Sequence, residues 1–179
     1  FQLRERHKEL GGIYQITQLI NDPEQTMDSV LQESIKILAN SYLYPDMSCG
    51  RLLWNNKAFI TEGFKETSWK QSVKVDLSDN RGYLIVEIYY LKKMPEKDDG
   101  PFLKEERNLL NTVAKELAVF LNRRLAEEQT NLNAQKFISV FNSVQDAIFI
   151  HDLDGNFIEV NKEACRRLHY RKDELLKLT

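Results

Sequence analysis

The segment from Phe102 to about Leu132 constrains the fold more than any other part of the sequence, because it has a helical pattern and contains neither glycine nor proline. At about 1.5 Å per residue, such a helix is on the order of 45 Å long, which is more than the core of a small domain requires. We therefore predict that this helix begins within one domain and leaves it as a connector.

The apolar residues of this helix follow a heptad spacing from Leu103, interrupted by Glu106, and the spacing shifts by four residues after Phe120. Such a shift locally unwinds a coiled coil and suits two packings of similar free energy. We predict a parallel homodimer in which the helix relays a signal, with the dimer and relay residues Leu110, Val113, Leu117, Phe120, Leu121, Leu125 and Leu132.

A second interpretation assigns Leu110, Val113 and Leu117 to the core of their own domain, where they would cover a sheet. On this interpretation Leu125 and Leu132 lie beyond the reach of the sheet and still need a partner. Both interpretations therefore predict apolar contacts near the end of the helix.

The residues before this helix predict two helices and an antiparallel sheet. Residues 1–20 carry a coiled-coil-like apolar stripe and form an N-terminal connector helix, which Gly11 and Gly12 weaken. A second helix begins at Asp22-Pro23, a capping residue followed by proline, and ends before Pro45. Alternating apolar and polar residues then predict a meander of about four strands, the last of them central, at residues 49–54, 58–62, 69–77 and 83–91.

The end of the sequence predicts a small α/β segment. Residues 137–144 have apolar positions at helical spacing and form a separate short helix. Two strands, at residues 147–152 and 156–160, flank an Asp-Gly pair, which is a strong hairpin signal. Asn161 can cap the helix that follows, at residues 162–169.

Composition limits the classes of function. A formal net charge of −2 argues against a nucleic-acid partner, and no apolar run reaches the ~18–20 residues of a membrane span. Cys49 and Cys165 are far apart and fit no metal-ligand spacing, so we interpret them as reduced thiols of a cytoplasmic protein.

The sequence contains no catalytic constellation. His7, His151 and His169 share no triad or metal-ligand spacing, and neither a Gly-rich phosphate loop nor an Asp-x-Gly-x-Gly nucleotide box is found. We therefore expect no enzymatic activity and no metal site within these residues.

The final residues carry a first resemblance, in the sequence AIFIHDLDGNFIEVNKEACRRLHYRKDELL, which starts at Ala147. Its Asp-Gly hairpin, its EVN strand end, the alanine of the next helix and a Tyr-x-x-x-Glu-Leu turn resemble the opening of a PAS domain. His169 stands where glycine is usual before Tyr170. The resemblance implies a partial PAS domain at residues 137–179. Without the three later strands that close a PAS ligand pocket, we expect no haem or flavin there.

The preceding residues carry a second resemblance. The sequences YPDMSCGRLLW, GFKETSWKQSVKV, GYLIVEIYYL and DGPFLKEERNLLNTVAKELAVFL resemble a compact GAF-like domain found beside PAS domains in archaeal and bacterial sensor kinases. The resemblance implies a GAF-like domain at residues 12–126, with helices on one face of the sheet, and a linker helix at residues 102–136. The fold class expected for the chain is α+β, with long connector helices at both ends of the GAF-like domain.

The GAF-like resemblance also bears on ligands. Ligand-binding GAF domains place extra helices and a deep pocket in the part of the sheet that corresponds to the short interval from Glu62 to Trp69, so we expect no cofactor. Cys49 is the one candidate for cofactor binding, because some related sensors attach haem through a cysteine.

Together these features predict a cytoplasmic sensory and signal-relay fragment of a two-component sensor histidine kinase. Its partners would be a second copy of the chain, downstream kinase domains and a response regulator. The alternative is a GAF or PAS sensor domain that binds a small molecule or a haem or redox group.

Overall fold

The structure is a computed structural model that describes residues 2–178, without the side chains of residues 2–7 and 9. The side chain of His7 therefore lies outside the described residues. The chain divides into two compact units, Phe1–Leu125 and Ala126–Thr179. Helices, one four-stranded antiparallel sheet and one two-stranded sheet confirm the predicted α+β class. None of the helices within residues 2–178 combines the length and the apolarity that a membrane crossing requires.

Two helices open the first unit, α1 (Gln2–Asn21) and α2 (Met27–Asn40). The helix α1 runs without a break through its glycine pair, and Gly12 is buried where a Cβ atom would collide with the hydroxyl group of Ser41. The predicted start of α2 at Asp22-Pro23 is wrong by one turn. The side chain of Asp22 instead closes a turn by accepting from the backbone N–H of Glu24, while the hydroxyl of Thr26 caps α2.

The sheet of the first unit contains β1 (Ser48–Trp54), β2 (Lys57–Ile60), β3 (Lys70–Asp76) and β4 (Tyr83–Tyr90). All neighbours are antiparallel, in the order β2-β1-β4-β3, so β4 is central as predicted. The predicted meander is wrong, because the two hairpins join through β1 and β4. This order gives the central places to the two strands with the most buried residues and leaves β2 and β3 at the edges.

One face of the sheet carries the core of the first unit. Alternate residues of β4, namely Leu84, Val86 and Ile88, lie on this face and are fully buried. They pack in one cluster with apolar residues of α1, α2 and the following helix, which confirms the prediction of helices on one face. The side chains between them point to the opposite, outer face of the sheet.

The third helix, α3 (Lys104–Ser143), has 40 residues and passes from the first unit into the second. The predicted end near Leu132 and the separate helix at residues 137–144 are therefore wrong. Residues 133–136 contain no glycine or proline, so nothing in the local sequence interrupts the backbone hydrogen bonding.

The second unit continues from α3 with a β-hairpin, β5 (Phe149–His151) and β6 (Phe157–Val160), and two short helices, α4 (Lys162–Leu168) and α5 (Lys172–Leu175). Asn161 is fully buried and caps α4 as predicted, through a 2.9 Å hydrogen bond from the N–H of Ala164. His169 adopts a left-handed conformation with φ 58°. The position therefore has the geometry that favours glycine, although histidine occupies it.

Candidate functional site: the outer face of the sheet

The outer face of the four-stranded sheet carries a cluster of charged and reactive side chains. We define it by Cys49 and Arg51 of β1, Lys70 of β3, and Glu87 and Tyr89 of β4. The register places Arg51 opposite Glu87, and both Cys49 and Lys70 opposite Tyr89. Directly opposed residues on one face of a sheet lie within side-chain reach, so the topology brings these five groups together.

A charge cluster forms at the centre of this face around Glu87, which is only 4% exposed. Its carboxylate pairs with the guanidinium of Arg51 at 2.6 Å and with Nζ of Lys70 at 3.1 Å, and it accepts from the hydroxyl of Tyr89 at 2.8 Å. Burial acts to raise the pKa of Glu87, but the hydrogen bonds from Tyr89, Arg51 and Lys70 outweigh burial and lower this pKa. Glu87 is therefore a stable carboxylate that organises two cations.

Residues 61–69, which we call the strap, cross over this cluster between β2 and β3. Phe64 packs edge-on against the ring of Tyr89, with 5.4 Å between the ring centroids, and the guanidinium of Arg51 lies 5.5 Å from the centre of the Phe64 ring. Glu66 reaches Nη1 of Arg51 at 3.3 Å. The strap thus places one aromatic ring and one carboxylate over the outer face.

Cys49, the predicted candidate for cofactor binding, lies beneath the strap and is 1% exposed. Its thiol donates to the carbonyl of Lys65 at 3.5 Å, and burial raises its pKa. Thiolate, rather than thiol, is the form that binds metals and attacks electrophiles. The closed strap therefore holds Cys49 in its less reactive form. No cluster of three or more potential metal ligands occurs within the described residues.

A second polar centre lies on the core side, around Glu106, which is 2% exposed. Its carboxylate accepts from the N–H of Leu43 at 2.7 Å, from the hydroxyl of Tyr90 at 2.8 Å and from the N–H of Leu103 at 2.7 Å. Burial, and then the charge of Glu106, raise the pKa of Tyr90, so Tyr90 stays a hydroxyl donor. One carboxylate thereby joins the segment after α2, the central strand β4 and the start of α3.

This junction was missed in the sequence, where Glu106 was interpreted as an interruption of the heptad pattern. The available signal was its position three residues after Leu103, at the start of a helix. A glutamate at that position can reach back to the backbone N–H of the capping residue, as in a capping box. Its burial could not be inferred, because Leu43 and Tyr90 are distant in sequence.

The structure places most of the predicted dimer and relay residues inside the first unit. Five of them are buried in its core, and Leu125 is partly buried and packs against that core. Leu132 is 44% exposed. While the core is intact, a dimer seam cannot include the five buried residues, which are Leu110, Val113, Leu117, Phe120 and Leu121.

The second unit has a cavity of its own, about 300 Å³ in volume. The end of α3 contributes Phe141 to its lining, β6 contributes Val160, α4 contributes Cys165 and α5 contributes Lys172. Lys172 pairs with the carboxylate of Glu159, which also lines the cavity, and this hydrogen bond lowers the pKa of Glu159. The lining of the cavity therefore combines apolar side chains with an ion pair.

Comparisons with known proteins bear on this second unit. A family model described as a PAS domain matches residues 135–179. No curated protein and no solved structure gave a significant match to the chain. The family match supports a PAS-like domain at the end of the chain and a signal-sensing function for it.

Proposed function

We propose that the chain is a cytoplasmic sensory and signal-relay segment of a multidomain sensor histidine kinase, whose catalytic domains are separate from these residues. The observation that carries the proposal is the shared helix α3. Its first half supplies Leu110 and Leu117 to the core of the first unit. Its end lies in the second unit, where Phe141 lines the cavity and its carbonyl accepts from the side chain of Asn161. A change in packing at one end of such a helix has a covalent route to the other.

The first unit is GAF-like in this proposal. Its antiparallel sheet with helices on one face agrees with the fold that the sequence resemblance implies. Its outer face is covered by the strap, where Phe64 and Glu66 occupy the space above the charge cluster. Such a covered face suits a domain that passes on a signal through its packing.

The Glu106 junction is the point at which the sheet is linked to the relay helix. A displacement of β4 or of the segment after α2 would alter hydrogen bonds to Glu106, which lies in the first turn of α3. Charge-assisted hydrogen bonds in a buried site are short and directional, so they resist small displacements and transmit them. We infer that Glu106 sets the position of the start of α3.

Dimerisation through α3 completes the proposal. Because the upstream apolar residues are buried in the first unit, the dimer contact would lie further along the helix, where Leu132, Phe137 and Val140 are exposed. A parallel pair of such helices gives a relay two discrete packings. A response regulator and kinase domains would act downstream of this pair.

Light scattering on the purified chain tests the dimer. We expect the wild-type chain to be dimeric at high micromolar concentration and Leu132→Glu to shift it to monomer, because a charge would enter the apolar contact. The matched control is Asn131→Glu, which adds the same charge to the same turn at another exposed position. A monomeric wild type, or equal dimerisation of both variants, would contradict the proposed contact.

A second candidate function is a sensor that binds a small molecule or a haem or redox group on the outer face. It is favoured by one observation, the convergence of Cys49, Arg51 and Tyr89 under the strap. An absorbance scan of the purified chain distinguishes it, since a stoichiometric Soret or flavin band would support a bound chromophore.

A further inference from the structure

We propose that the strap is a displaceable cover over a binding site for a small aromatic carboxylate, formed by Arg51, Lys70 and Tyr89. In this proposal Phe64 and Glu66 occupy the places that the ligand's ring and carboxylate would take. The inference rests on the second candidate function, for which it names a ligand class, and it depends neither on the relay nor on dimerisation.

The charge balance of the outer face defines the ligand's charge. With the strap in place, the cations of Arg51 and Lys70 face the carboxylates of Glu87 and Glu66. Removing Glu66 leaves two cations for one buried carboxylate. A molecule that replaces the strap must therefore bring one negative charge, or leave a half-buried guanidinium without its second partner.

The geometry around Arg51 indicates which donor is open to exchange. Its Nη2 and Nε atoms lie 2.6 and 2.8 Å from the carboxylate of Glu87, whereas Glu66 makes longer contacts, 3.3 Å to Nη1 and 3.5 Å to Nη2. Glu66 is more than half exposed, and exposed ion pairs of this kind contribute about 0–1 kcal/mol. Glu87 thus fixes the guanidinium, and Glu66 occupies its outer donor weakly.

The aromatic contacts define the rest of the ligand. Phe64 presents its ring edge-on to Tyr89 and face-on to the guanidinium of Arg51, an arrangement that combines aromatic and cation–π attraction. A free molecule with a ring and a carboxylate joined by a short link can make both contacts at once. Arylacetates have this chemistry.

The strap is anchored at its ends and lightly held in its middle. Thr61 is hydrogen-bonded to the backbone of Gly50, and Thr67 donates to the carbonyl of Tyr90 at 2.8 Å. Between these anchors, the strap contacts the sheet through the side chains of Phe64 and Glu66 and through the weak thiol hydrogen bond from Cys49. Gly63, at φ +67°, provides the bend between them.

Binding of phenylacetate, followed by titration calorimetry, tests the site in the full chain. The double variant Phe64→Ala/Glu66→Gln should bind phenylacetate about tenfold more tightly than wild type, because removing the competing side chains raises the fraction of molecules that can bind. Glu66→Gln alone, which keeps the side-chain size, should give a smaller gain in the same direction. Phenylacetamide, which lacks the charge, should not bind detectably.

Removing the cations tests the assignment of residues. Lys70→Gln should weaken phenylacetate binding, and Arg51→Gln should abolish it, each measured in the strap double variant. Circular dichroism should show that Lys70→Gln retains the fold, since Lys70 is partly exposed. Binding that is unchanged in both variants would overturn the proposal, and so would the absence of phenylacetate binding to the strap double variant.

Thiol reactivity provides an independent readout. The chain has two cysteines, so Cys165→Ser leaves Cys49 as the single thiol. In that background, the strap double variant should react with a small disulfide reagent about tenfold faster than the closed chain, and phenylacetate should slow the reaction. If Cys49 reacts at the same rate with and without the side chains of Phe64 and Glu66, the strap does not act as a cover and the proposal is wrong. If the strap double variant binds an acidic aromatic peptide and does not bind phenylacetate, the assignment of a small-molecule ligand is wrong.

Discussion

The two units differ in how their apolar residues are used. In the first unit, helices α1, α2 and α3 and one face of the sheet pack into a single large cluster of buried side chains. In the second unit, the buried cluster consists of Val160, Ala164 and Leu175. Large apolar side chains there remain exposed, among them Phe137, Ile138, Val140, Leu153, Ile158 and Leu168. A similar apolar content therefore yields a closed core in one unit and a small core in the other.

Compared with the first unit, the second unit depends more on the hydrogen bonds of a single residue, Asn161. The side chain of Asn161 donates to the carbonyls of Phe141 and Asp146 and accepts from the N–H groups of Ile148 and Ala164. All of its hydrogen-bonding capacity is directed at the backbone, so it ties the end of α3 to the hairpin and to α4. Polar contacts fix this geometry, but they replace little of the free energy that apolar burial supplies.

The largest expected effect is on the free energy of unfolding and comes from a substitution in the core of the first unit. Leu110→Ala should lower the free energy of unfolding by about 2–5 kcal/mol, because Leu110 is fully buried and its truncation leaves a cavity. Denaturant unfolding followed by tryptophan fluorescence measures the first unit specifically, since Trp54 and Trp69 both lie there. Val119→Ala, on the exposed side of the same helix, is the control and should change stability by less than about 0.5 kcal/mol. Equal effects of the two changes would contradict this core.

A smaller effect is expected when the hydrogen exchange of the two sheets is compared. Amides of β5 and β6 should exchange with solvent at least about tenfold faster than those of β4, because the second unit buries too little apolar surface to offset the entropy of ordering its chain. Hydrogen exchange followed by mass spectrometry measures the difference on a dilute sample. Equal protection in the two sheets would show that the small core is not the weaker one.

The smallest effect concerns the outer face. The pKa of Glu87 lies below its ordinary value of 4.5 in the folded chain, so its stabilising contribution is complete above that value and is lost as the pH falls through the lowered pKa. Glu87→Gln should therefore have a lower free energy of unfolding than wild type at pH 7. This difference in free energy should become smaller as the pH falls below about 4.5. Glu62→Gln, which makes the same change at an exposed position, is the control. A difference in free energy that grows on acidification would contradict the stabilisation of ionised Glu87 by the charge cluster.

The sequence predicted most of the secondary structure, because local patterns determine it. The hairpin turns, the alternation along β3 and the capping of α4 by Asn161 each depend on residues within a few positions of one another. The order of the strands could not be predicted in this way. Both a meander and two joined hairpins satisfy the same alternation, and only the pairing of β1 with β4 distinguishes them.

The candidate site was less predictable for the same reason. The strap was identified as a short interval, but its contact with Arg51 depends on which face of β1 turns outward in the assembled sheet. The sequence shows Glu106 as an interruption of the heptad spacing, whereas its partners Leu43 and Tyr90 are brought to it by tertiary packing. The heptad pattern of α3 was real, but intramolecular burial uses the same spacing as a coiled coil.

The central claim is that α3 carries changes in the packing of the first unit into the second, and hydrogen exchange on Glu106→Gln tests it most directly. The carboxylate accepts from the N–H of Leu43 and from the N–H of Leu103 through two different oxygens, and a glutamine side chain has only one. Glu106→Gln therefore loses one of these two hydrogen bonds and loosens the start of α3 while the side-chain volume is kept. The exposed neighbour Glu105→Gln is the control. The account predicts that Glu106→Gln alters the exchange of amides at residues 103–125 and also at residues 141–161, and that Glu105→Gln alters neither. A change confined to residues 1–125 would contradict the relay.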